Sequence, residues 1–296
     1  MNKFFNKTIF KFEMRRNLFV VIMWAAIVSF FTIPNILIFP FMDVMMDMEG
    51  MDEMVADDGG IMDLMFWTLN SAAWFATMLD NIHMMGAIFA CFMAIRMITN
   101  DAKDGTFEFL LTQPIKRSEV WGSKFAVYNL YIILFTLVMF LPSILLTIAF
   151  SPLGEYSLTG ADIGSMFVMM LTSAISFIAL GLLCYFISSN FSKRGGVAIA
   201  IGVGLVAWLV SMLAVMIVPT LPAGALRDFL SIIITVLPFY GSAGRETYLS
   251  LGSLSDYQVR EMWYFWRGII GLSIFLAATI AMVVMGYFKF NKKDIT

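Results

Sequence analysis

The chain has 296 residues, of which 60% are hydrophobic and 14% charged, with a net charge of −2 at neutral pH and a mean hydropathy of +0.85. A soluble protein of this length covers its core with a wet, charged surface; so few charges exclude one, and lipid is the solvent that fits. One histidine and two cysteines, Cys91 and Cys184 inside apolar runs, exclude the usual metal-ligand sets and a disulfide framework, and no nucleic-acid partner is expected.

A helix needs about 20 mostly apolar residues to cross the hydrocarbon core, and six stretches qualify. Ahead of the first, Phe4, Phe5, Ile9, Phe10 and Phe12 alternate with Lys3, Lys7, Lys11, Arg15 and Arg16. This is expected to be an interfacial helix that precedes a turn into the bilayer, or else a basic flank of the first span. The first span covers residues 18–38 and is followed by Phe39-Pro40-Phe41. No small-residue cleavage site is there, so the span reads as a retained anchor. The loop 41–80 then carries Asp43, Asp47, Glu49, Asp52, Glu53, Asp57, Asp58 and Asp63 without a basic residue.

That loop is also rich in methionine. Met45, Met48, Met51 and Met54 recur every three residues, and soft thioethers in such a row are ligands for Cu(I). Methionine is abundant throughout the chain, however, and a flexible apolar lid uses the same residues. The lid is the preferred reading, and no metal site is assigned.

The second span covers 82–98, with Asp80, His83 and Arg96 near its ends, where contact with the interface is expected. After the inner loop 99–124, the third span covers 125–150 and contains Pro142, a site for tilt or kink. The fourth covers 163–187 and the fifth 197–218. In the fifth, Ala198, Ala200, Gly202 and Gly204 form small-x-x-x-small pairs that signal close helix packing, within the monomer in preference to a dimer seam. Ser173, Ser176, Ser211, Asn129 and Thr147 are intramembrane polar residues that either line a path or bond helices together. In the outer loop 219–267, the apolar run Phe229–Leu237, bracketed by Pro222 and Pro238, is too short to span. Trp263, Tyr264, Trp266 and Arg267 mark an aromatic belt before the sixth span, 268–288.

Basic residues orient the chain. With the N-terminus inside, fifteen of nineteen lie on inner segments: the five near the N-terminus, then Arg96, Lys103, Lys116, Arg117, Lys124, Lys193, Arg194, Lys289, Lys292 and Lys293. Arg227, Arg245, Arg260 and Arg267 remain outside. The positive-inside rule therefore puts both termini in the cytoplasm.

The inner loop carries the most information. Gly105 is a flexible joint, and Thr106 can cap a short helix. Phe107, Leu110 and Leu111 then share one face at i, i+3 and i+4. Pro114 stops that helix. Lys116 and Arg117 reach headgroup level, and Ser118 can cap the next helix, with Glu119 in its first turn. From spacing alone, such a helix either rests on the membrane or docks on a partner.

The run Lys103-Asp104-Gly105-Thr106-Phe107-Glu108-Phe109-Leu110-Leu111-Thr112-Gln113-Pro114-Ile115-Lys116-Arg117, followed by Gly122-Ser123-Lys124-Phe125, resembles the permease subunits of ABC-type-2 exporters. The family pattern has an acidic residue, Gly-Thr, an acidic-apolar-Leu-Leu run, Pro-apolar-x-Arg and a later Gly-Lys; here Ser123 separates Gly122 from Lys124. The tail Phe288-Lys289-Phe290-Asn291-Lys292-Lys293-Asp294-Ile295 is similar to the family's Phe-basic-basic-Asp ending. Leu237-Pro238-Phe239 is similar to its Ser-Pro-Phe element, with Leu237 in place of Ser.

The resemblance implies an all-α polytopic membrane protein of six spans, a single permease domain with a short cytoplasmic coupling helix. Its loop helix would dock in a groove of a separate cytoplasmic ABC ATPase. ATP and Mg²⁺ would bind on that partner, and a second permease, a copy or a paralogue, would complete the unit. Phe107, Leu110 and Leu111 would be docking knobs, with Asp104, Glu108, Lys116 and Arg117 as rim contacts. No Gly-x-x-x-x-Gly-Lys-Ser/Thr phosphate loop occurs in the chain, so the energy source is expected elsewhere. An intramembrane protease is a poor fit, since Gly241-Ser242-Ala243-Gly244 has the wrong order for a rhomboid-like site. A secondary carrier or channel is the alternative, although no charged or broken helix is evident at mid-membrane.

Overall fold

A computed structural model describes residues 5–46, 71–99, 115–150, 160–190, 196–217, 224–226, 229–230, 273–274 and 276–288. Among these, every regular element is helical: α1 (Lys7–Met46), α2 (Ser71–Ala94), α3 (Arg117–Phe150), α4 (Gly160–Asn190), α5 (Gly196–Ile217) and α6 (Leu276–Phe288). Residues Ile95–Thr99 extend α2 as a π-helical turn.

Asn6 starts α1 as an N-cap. Its side-chain oxygen accepts the backbone N–H of Thr8 (3.0 Å) and of Ile9 (3.4 Å), two donors the first turn leaves without helical partners. From there α1 runs for 40 residues without interruption. The expected interfacial helix is thus not a separate element, and forms the first turns of α1. The reason lies at Asn17, where a break was available. Asn17 turns its amide back to the Glu13 backbone oxygen (3.0 Å) and to the Glu13 carboxylate (3.3 Å), within the helix. The N-terminal face also packs on protein, with Ile9 buried against Val120 and Trp121.

α2 is the centre of the bundle and touches α1, α3, α4 and α5. Its buried residues Ile82, Ala87, Phe89, Ala90, Cys91, Met93 and Ala94 cover more than half of the helix circumference, and the rest is half-buried, as expected of a helix packed on several others. Glycines set its spacing. A Cβ at Gly204 of α5 would lie 2.9 Å from the Ile88 backbone nitrogen and 3.0 Å from its Cα, so the two backbones cross in contact. Gly86 leaves room for the Phe177 ring of α4. The Tyr128 hydroxyl of α3 fills the space above Gly181 and donates to the Phe177 and Ile178 carbonyls (3.2 and 3.4 Å).

The outer faces are apolar. Phe19 is 75% exposed, Phe30 73% and Val206 62%, an inversion that a soluble monomer does not tolerate over contiguous area. Among the described residues, three helices are long and apolar enough to cross a membrane: Lys7–Pro34, Arg117–Ala149 and Met170–Ser188. Three shorter apolar helices accompany them: Ile82–Met97, Val197–Ser211 and Leu276–Phe288. Several polar side chains inside this assembly bond within their own helix. Asn129, Thr147 and Ser211 each donate to the carbonyl four residues back (all 2.8 Å), as do Thr136 and Ser143 of α3. Ser173 instead joins two helices through His83, at 2.8 Å.

Candidate functional site

Six chain segments meet at one end of the bundle. The start of α1, the π-helical end of α2, residues 115–116, the start of α3, the last turns of α4 and the end of α6 all contribute. Trp121 organises the apolar part. Its ring stacks on Phe125 (centroids 5.0 Å apart, planes at 12°) and meets Tyr287 edge-on (5.8 Å, 72°). Ile9, Val120, Ile115 and Val283 close around it. A Cβ on Gly286 would fall 3.5 Å from both Trp121 and Tyr185, so α6 and α4 also press together here.

Beside this cluster lies a buried polar network. Glu13 and Asn17 are fully buried, and Lys124 is 1% exposed. Lys124 Nζ approaches Glu13 Oε1 at 2.9 Å and donates to the Met97 carbonyl at 3.0 Å. Arg16 reaches Glu13 Oε2 at 2.9 Å. Arg96, in the π-helical turn, donates from Nε to Asn17 Oδ1 at 3.0 Å, and Asn17 in turn donates to Glu13. Nearby, Ser123 exchanges hydrogen bonds with the Asn6 backbone (2.8 and 3.1 Å), and the Tyr131 hydroxyl donates to the Met14 carbonyl. Glu13 is thus the carboxylate to which Lys124, Arg16 and, through Asn17, Arg96 converge. Ionised partners in so dry a site make short, directional bonds.

Of the residues singled out in the sequence, Asp104, Gly105, Thr106, Phe107, Glu108, Leu110, Leu111 and Pro114 lie outside the described residues, as do Met48, Met51 and Met54. Met45 falls in the last turn of α1. Lys116 is exposed and Arg117 half-buried where α3 begins. Ser118 is not the cap of that helix. The Lys116 carbonyl accepts Glu119 N–H (2.9 Å) and Val120 N–H (3.2 Å), which places the cap position at Lys116 and Ser118 inside the first turn. His83, expected at an interface, is instead buried between Phe140 and Phe177 (ring centroids 6.2 and 6.3 Å away).

The Glu13 network was missed from sequence. Arg16, Arg96 and Lys124 were read there only as charges flanking the membrane. A signal existed: Glu13 is the one acid among the five basic residues of the first seventeen. A carboxylate placed against the positive-inside trend needs a partner, and the nearest bases in space belong to other helices.

A family model described as ABC-2 family transporter protein matches residues 7–295. No curated protein matches the chain.

Proposed function

The chain belongs to the ABC-2 family of transporter proteins, and from that premise we propose that it is the permease half of an ATP-driven exporter in the cytoplasmic membrane. The match over residues 7–295 carries the reading. Such a permease is the membrane component of transport and not itself the catalyst. In this proposal, six helices cross the bilayer with both termini cytoplasmic. The loop 99–124 docks its short helix, Thr106 to Leu111, in the groove of a separate ATPase, and two permeases work together.

Three observations support the finer parts. The stretch 7–295 carries no phosphate-binding loop, so ATP is hydrolysed on a partner. Fifteen of nineteen basic residues fall on the segments assigned inside. The starts of α1 and α3 gather with the ends of α2, α4 and α6, as strict alternation across the membrane requires. Closure of the ATPases on ATP would push the loop, and the push would tilt the helices attached to it.

The test is an affinity purification of the tagged protein from mild detergent, with identification of the proteins that accompany it. An ABC ATPase in equimolar amount is the expected result. Recovery of the permease alone from gently handled membranes would overturn the reading in favour of a secondary carrier, to be pursued by ion-gradient-driven flux.

A further inference from the structure

The segment 100–116 joins the π-helical end of α2 to the start of α3. A force on it reaches those helices through covalent bonds. It does not reach α1 that way, because α1 joins α2 from its other end, Met46, through residues 47–70 of the chain. At the loop end, α1 is held by non-covalent contacts alone. Toward α3 these include the Asn6–Ser123 and Tyr131–Met14 bonds. Toward the π-helical end of α2 they include Arg96 on Asn17 and Lys124 bridging the Met97 carbonyl to Glu13.

Resting on the permease reading, we infer that Glu13 is a positioning residue for energy coupling: its buried carboxylate makes α1 follow the end of α2 when the docking loop moves. Stability alone gives little reason for such a group, since a buried ion pair is generally no more stabilising than apolar side chains of the same volume. Apolar surfaces also slide over one another, whereas a network of charge-assisted bonds holds one arrangement. Here the network sits where both ends of the loop enter the bundle. The π-helical turn that presents Arg96 and Met97 departs from regular helix at the same place, a departure common at working sites.

The test uses the permease with its ATPase in lipid nanodiscs, in a Cys91→Ala, Cys184→Ala background. Spin labels go on the exposed positions Phe19 of α1 and Leu183 of α4 (75% and 42% exposed). α4 packs closely on α2, so this distance reports how α1 sits relative to α2. Glu13→Gln alone leaves Lys124 with the Met97 carbonyl but without its carboxylate, so the decisive variant is Glu13→Gln with Lys124→Met, which removes both charges together. In the parent complex the distance distribution stays unchanged on trapping with ATP and vanadate. In the double variant ATPase binding and hydrolysis persist, but trapping shifts and broadens the distribution. A distribution as unresponsive in the double variant as in the parent overturns the inference, because α1 then follows without Glu13. Loss of ATPase binding in the double variant overturns it as well, leaving a structural role. If the parent recruits no ATPase, the permease reading itself fails, an outcome separable from both.

Discussion

At Glu13 the arithmetic of partners predicts an asymmetry between two single substitutions. Lys124→Met leaves the carboxylate still bonded to Arg16 and Asn17. Glu13→Gln removes from the protein interior the carboxylate that Lys124 and Arg16 both face. An uncompensated buried charge costs about 3–5 kcal/mol. Glu13→Gln is therefore expected to destabilise the most, Lys124→Met less, and the double variant less than Glu13→Gln alone. Thermal unfolding in detergent, followed by size-exclusion chromatography, ranks the three. Additive single losses in the double variant would show that the pair is not coupled. The charges themselves were legible in the sequence, but their pairing was not. Arg96, Lys124 and Glu13 lie up to 111 positions apart, and a positive-inside count treats each base as facing water.

Among the helices, close crossings decide the architecture. The run Ala198, Ala200, Gly202, Gly204 was legible as a packing signal, yet spacing could not tell which residues face a neighbour. The structure divides them: Ala200 and Gly204 are buried toward the bundle, while Ala198 and Gly202 are exposed. Gly204→Ala would place a methyl group against the Ile88 backbone, which cannot rotate away. Overpacking of this kind costs about 1–3 kcal/mol. Gly202→Ala meets nothing within 4 Å, and the gain in helix propensity is worth up to about 1 kcal/mol. The same unfolding assay should show Gly204→Ala destabilised and Gly202→Ala at or above the parent. Equal effects would remove the α2–α5 crossing as the reason for the glycine. Helix continuity was less legible. Hydropathy marks where lipid lies, so the first apolar stretch was set at 18–38, whereas α1 begins at Lys7. Nothing in apolar content reveals that Asn17 bonds within the helix instead of ending it.

On the scale of the whole molecule, the proposed reading gives the apolar exterior to lipid and the polar end of the bundle to the partner. Where the structure describes them, the apolar stretches of the sequence fall on helices, as a chain in hydrocarbon must satisfy its own backbone. The proposed docking segment rests on a different kind of signal: its pattern of Gly105, Thr106, Phe107, Leu110, Leu111 and Pro114 combines a joint, a cap, an apolar face and a stop in ten residues. If Phe107 and Leu110 are the knobs that enter the ATPase, a carboxylate at either one carries an unpaired charge into the centre of an interface. Interface centres concentrate the binding energy, and truncation of a residue there costs about 2 kcal/mol or more. That is at least about thirtyfold in affinity, and a buried charge adds to it. Phe107→Glu with Leu110→Glu should therefore abolish co-purification of the ATPase. The variant should still insert, because the loop is assigned to water and the spans are untouched. Membrane fractionation and the affinity purification read the two properties separately. Retained ATPase would remove these residues from the docking face, whereas loss of both ATPase and membrane insertion would mean that the segment serves folding and not coupling.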